Sequence, residues 1–259
     1  SFYGAVTLQC LMLIGRGHLD EAQTLANGLR EQYLRSRHPD AGIASDVTHV
    51  SLHFLRGELD AAIATGEHMM ANFPAPETVT DPLHYLHPRV YCWMALGAAL
   101  RGDIPANNEY CRLAKELALS RGDVFNVLAA DLTVIESAAI LGEVEGTAAR
   151  AAEVDRKFRA AGGNQWAAVA RIVCEWAQFM ETGTGDAAAA HRAFDEYTGD
   201  GTVVMSPLFL CLLADIETRC GRADEAGRLL VRARTVAERI GESAWNMDIE
   251  RRAAVQPVG

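Results

Sequence analysis

Lysine is almost missing from this chain: of 24 basic residues in 259, only Lys115 and Lys157 are lysine, and the rest are arginine. With abundant Ala and Gly, that bias points to a GC-rich genome. Paired cysteines are also missing. Cys10, Cys92, Cys111, Cys174, Cys211 and Cys220 are scattered through apolar stretches with no C-x-x-C spacing, which excludes a disulfide scaffold and a zinc ribbon and fits reduced, buried thiols in a cytosolic protein. The most apolar N-terminal run, Ala5 to Ile14, is short, holds Thr7 and Gln9 and lacks a basic flank, so neither a signal peptide nor a membrane span is expected there. No G-x-x-x-x-G-K-[S/T], no G-x-G-x-x-G and no G-x-S-x-G occurs, which removes the common nucleotide-binding and hydrolase signatures. A net charge of −10 without a concentrated basic patch argues against nucleic acid and anionic lipid as direct partners. Arg228, Arg232, Arg234 and Arg239 alternate with Ala, Val and Glu and read as a solvated helix face.

What the chain does have is a recurring turn. Gly17, Gly57, Gly102, Gly142, Gly183 and Gly221 follow one another at intervals of 40, 45, 40, 41 and 38 residues. Each stands between two amphipathic stretches, and four are followed five residues later by Ala22, Ala62, Ala188 or Ala226. Self-similarity at this period means stacked helix pairs, because one pair cannot bury its apolar faces alone. The expected fold is all-α, an α-solenoid of about six helix pairs with a C-terminal capping helix. Helix A of each pair is expected near 1–16, 43–56, 84–101, 123–141, 164–182 and 204–220, and helix B near 19–35, 59–72, 105–121, 144–161, 186–197 and 223–240. The repeats then run 1–40, 41–82, 83–122, 123–162, 163–200 and 201–241, with a cap at 242–254, as one domain over 1–259. The segment 72–82, with three prolines, reads as a long loop between repeats. An opening Ser in place of Met is what a piece of a longer protein would show.

The glycine-to-alanine offset, the Leu or Ile two residues past several of the glycines, and the size of the pair resemble the tetratricopeptide repeat (TPR). The period is nearer 40 than 34 and the proline that closes each repeat is missing. Longer, degenerate arrays of this kind resemble the C-terminal region of large bacterial transcription regulators, multidomain ATPases with a LuxR-type DNA-binding domain or a cyclase domain. The ending carries that likeness: Gly221-Arg222-Ala223-Asp224-Glu225-Ala226 leads to Glu238-Arg239-Ile240-Gly241-Glu242-Ser243-Ala244-Trp245 and then Asp248-Ile249-Glu250-Arg251-Arg252. After the Trp the chain departs from the usual Glu-Leu-x-Arg-Leu-x-Gly. The resemblance implies a cytoplasmic module that works with ATPase and DNA-binding domains of the same polypeptide, none of whose residues lies in these 259.

The one constellation with catalytic or metal-binding spacing is Asp46, His49 and His53, at steps of three and four on one face of the second A helix, with His84 and His87 as possible completers. Val50 stands where H-E-x-x-H has its glutamate, so the reading favoured is a polar, groove-facing stripe with no metal and no cofactor. A carboxylate clamp for peptide termini needs lysines on A helices, and neither lysine falls on one. Arg171 and Glu175 are an expected i,i+4 pair. Trp93, Trp166 and Trp176 read as core. The function expected is a non-enzymatic protein-interaction or ligand-sensing module of a larger regulator. The alternatives are a metal-dependent enzyme using the Asp/His/His stripe and a constitutive scaffold. Asp46, His49, His53, Tyr85, Arg89 and Asp131 are expected to share the concave face and to bind a protein or peptide partner, or a small polar ligand.

Overall fold

The computed structural model describes residues 1–75 and 82–255. Among these residues it is all-helical. The A helices are α1 (Phe2–Gly15), α3 (Pro39–Leu55), α5 (His87–Leu100), α7 (Val124–Leu141), α9 (Asn164–Thr182) and α11 (Ser206–Arg219). The B helices are α2 (Leu19–Ser36), α4 (Leu59–Asn72), α6 (Ile104–Ser120), α8 (Thr147–Ala160), α10 (Ala187–Thr198) and α12 (Ala223–Ile240). A 3₁₀ turn, Ser243–Trp245, and α13 (Asn246–Val255) follow.

All six expected glycines adopt the left-handed conformation, with φ between 71° and 78°, which a residue with a Cβ enters only at a steric cost. The turn then closes on itself. In five of the six, the exception being Gly183, the N–H of the next residue reaches back to a carbonyl five residues earlier, as in His18 to Leu13 (2.9 Å), Glu58 to His53 (2.9 Å) and Asp103 to Ala98 (2.9 Å). Gly122 and Gly162 do the same between a B helix and the following A helix, glycine caps that the forty-residue pattern does not mark, and Gly241 does so before the C-terminal 3₁₀ turn.

Three starts differ from expectation by three residues or more, one of them α8, which begins at Thr147 and not near 144. α3 starts at Pro39, four residues early, because Pro39 fits the first helical position and the His38 ring accepts the N–H of Asp40. The fifth helix starts three residues late, because Pro82–Leu86 winds as a separate 3₁₀ turn before His87. Most of the loop expected over 72–82 lies outside the described residues.

The chain divides into two compact units, 1–133 and 134–259. In the first, consecutive helices pack on one another and α3 also packs on α1 and α5. Leu29, Val47, Val50, Met69, Val90 and Met94, drawn from α2 to α5, form its main core. Phe73, just past α4, lies against α3 at Gly42, where a Cβ would stand 2.3 Å from the ring. In the second unit α9 packs on α8, α10 and α11, and α11 on α12 and α13, around Phe158, Ile172, Phe209 and Trp245. Arg171 and Glu175 pair at 3.0 Å as expected, and Trp176 is buried with its indole N–H donated to Asp215 at 3.0 Å.

One helix among the described residues, Val124–Leu141, is long and apolar enough to cross a membrane, but 67% of it is buried inside the protein, the condition of a core helix.

Candidate functional site

Because α3 is packed against α1, α2, α4 and α5, every residue from Ala41 to Leu55 is buried except Asp46 and His53. Polar groups in such a helix need partners. Thr48 and Ser51 donate to the carbonyls of Ala44 (2.9 Å) and Val47 (3.2 Å). His49 Nδ1 lies 2.8 Å from the Ser45 carbonyl and Nε2 lies 3.3 Å from Asn27 Oδ1 on α2, two acceptors of which the neutral ring donates its single N–H to one. Burial lowers its pKa below the usual imidazole value, so the ring is neutral.

Asp46 points the other way, accepting from His68 Nδ1 on α4 at 2.9 Å. Desolvation raises its pKa, and the nearby His68 and Arg30 offset only part of that. His53 pairs with Glu58 beyond the turn. The rings of His49 and His53 are neighbours, with centroids 5.9 Å apart. The Asp/His/His stripe is therefore divided among α2, α4 and the glycine turn. Among the described residues, no group of three or more His, Cys, Asp or Glu side chains is placed to hold a metal ion.

The remaining candidates come from α5 and its neighbours. Tyr85 is exposed and its carbonyl accepts from Asn126 at 2.8 Å, while Arg121 donates to the His84 carbonyl at 2.8 Å, tying the 3₁₀ turn to the α6–α7 turn. Arg89 is half-buried on α5. Asp131 on α7 accepts from Lys115 on α6 at 2.6 Å. His87 is fully buried between the carbonyls of Phe73 (3.1 Å) and His84 (3.2 Å), and burial lowers its pKa as well. Burial raises the Cys10 thiol to about 11 and the Cys211 thiol to about 12, which keeps both protonated.

Sequence reasoning did not single out Glu242. It is fully buried and accepts the Met205 N–H with both carboxylate oxygens (3.1 Å each) and the Trp245 indole N–H with one of them. Met205, with a positive φ of 63°, is the N-cap of α11, where an N–H has no acceptor within the helix. The sequence signal for it is the Glu-x-x-Trp spacing of Glu242 and Trp245. No protein-family model, curated protein or solved structure matches the chain.

Proposed function

We propose that the chain is a non-enzymatic helical-repeat module, its six TPR-like pairs stacked as a solenoid, that binds a protein or peptide or a small polar ligand for a larger cytosolic regulator. The observation that supports this reading is the use made of α3: its polar side chains Asp46 and His53 stay partly exposed at the surface of an otherwise buried helix, and Tyr85 on the following 3₁₀ turn is exposed. On this reading Asp46, His53, Tyr85, Arg89 and Asp131 share the concave face, and their one aromatic ring and both charge signs would suit a polar ligand or an extended peptide. A ligand there biases attached ATPase and DNA-binding domains by no more than its differential affinity for two shapes of the array. The test is photocrosslinking from position 85 or 89 in cells expressing the protein, with position 231 on α12 as control. A defined polypeptide captured from 85 or 89 and not from 231 supports the proposal. Stoichiometric zinc in the purified protein, lost on His49→Ala with His53→Ala, would favour the metal-dependent enzyme and overturn it.

A further inference from the structure

Of the acids on α4 and α6, Asp60 pairs with Arg101 at 2.7 Å, and Glu109 and Glu116 both pair with Arg112 at 2.6 Å. Glu67 is the exception. It is exposed on α4, accepts the Tyr110 hydroxyl from α6 at 3.1 Å, and has no Lys, Arg or His within ion-pair distance among the described residues. Tyr110 in turn stacks on Tyr91 of α5, with ring centroids 6.4 Å apart and planes 23° apart. That separation is toward the loose end of aromatic contact, so neither ring covers the other's face, and both stay partly exposed. Negative charge reaches both rings. Burial and then the Glu67 carboxylate push the Tyr110 hydroxyl up to about 12, and burial and then Glu109 raise that of Tyr91.

A second, independent relation comes from the repeat. Tyr91 stands eleven residues before Gly102, and the same register holds Asp46 before Gly57 and Asp131 before Gly142. All three are half-buried between buried neighbours in sequence, so this is a register at which α3, α5 and α7 reach the surface. On α3 and α7 a B-helix cation meets the acid there: His68 lies on Asp46 at 2.9 Å and Lys115 on Asp131 at 2.6 Å. At Tyr91 the acid comes from α4, and the chain answers it with two rings and a hydroxyl.

We propose that Tyr91, Tyr110 and Glu67 form a binding site for a cationic side chain, arginine or lysine, carried by a peptide partner. A cation held over the face of a tyrosine is attracted by the ring quadrupole, and a carboxylate at the rim fixes its position and selects for charge. All three residues lie in the first compact unit. The proposal rests on the reading above in giving peptide binding to this part of the array, and it names the chemistry that the peptide must bring.

The probe is N-acetyl-arginine amide, titrated against the full chain by saturation-transfer NMR, with N-acetyl-citrulline amide as the uncharged match in shape. Saturable binding of the arginine probe alone is expected. Glu67→Gln, at an exposed position, should weaken it by about twofold to fivefold, the range of a rim ion pair. Tyr91→Leu should abolish it and Tyr91→Phe, which keeps the ring, should preserve it, each with unchanged circular dichroism. Absence of saturable binding, equal binding of the citrulline probe, or binding indifferent to both Glu67→Gln and Tyr91→Leu overturns the site. A polypeptide captured by crosslinking from position 85 or 89 while the arginine probe fails to bind would overturn the cation site alone and leave the peptide-binding module standing.

Discussion

Glu242 holds the main-chain N–H of Met205 at 3.1 Å from a position with no solvent exposure, and the cost of that burial appears in its pKa, raised to about 8 from an ordinary value of 4.5. The start of α11 thus depends on a side chain 37 residues later. Glu242→Ala removes the acceptor for both Met205 and Trp245, and each buried donor left unmade costs about 1–3 kcal/mol. A drop of at least 2 kcal/mol in urea-unfolding stability is expected. A change within error of zero would show that the carboxyl does not secure this junction.

The same group sets a pH dependence. Its folded pKa is raised, so the folded state keeps a proton that the unfolded chain releases. Its contribution therefore declines as pH rises from about 4.5 to about 8. Glu242→Gln should flatten the stability curve across that window. An identical slope in wild type and variant would count against the protonated state.

His49 and His87 act in the opposite sense. Burial lowers both, so below about pH 6.5 the unfolded chain takes up protons that the folded one refuses, and stability present above that value is lost as the pH falls. Each ring contributes up to about 1.4 kcal/mol per pH unit on that limb. In a Glu242→Gln background, which removes the opposing carboxyl, chemical denaturation from pH 6.5 to 5.5 should show the midpoint falling, and adding His49→Gln with His87→Gln should remove most of that slope. A slope unchanged in the double variant would refute the assignment.

Gly102 lies in open space, with no atom within 4 Å of a built Cβ, but at a φ of 71°. Gly102→Val should cost about 1–2 kcal/mol from backbone strain alone. Gly102→Asn should cost less, because Asn tolerates the left-handed region. Equal midpoints for both variants and wild type would contradict the cap.

Gly42 is the converse case, because its φ is ordinary and the constraint comes from the Phe73 ring. Gly42→Ala should destabilise by about 1–3 kcal/mol through overpacking. Phe73→Leu in the same chain should recover part of the loss, and strictly additive effects would show that the two residues do not meet.

The six A–B turns were legible because a left-handed cap leaves a glycine at a fixed interval and the caps are local. The stripe at Asp46, His49 and His53 was legible only as a spacing. Steps of three and four place residues on one side of a helix, but the directions in which Asp46 and His49 turn depend on what α4 and α2 bring to them, His68 and Asn27. Those partners lie 22 residues away, beyond the reach of any local pattern. Glu242 was hidden for the same reason: a charged residue before a Trp reads as surface until Met205 is seen to need an acceptor.

The closed glycine turns have a kinetic side. Most of the caps are completed within about six residues, and α1 to α6 in the first unit and α8 to α12 in the second pack mainly on their neighbours in sequence, so within each unit little loop entropy has to be lost before a contact forms. A chain wired in this way gathers structure at several helix pairs independently and extends from each to the next. Its folding should be fast for its length, and a damaged turn should slow only the pairs that flank it.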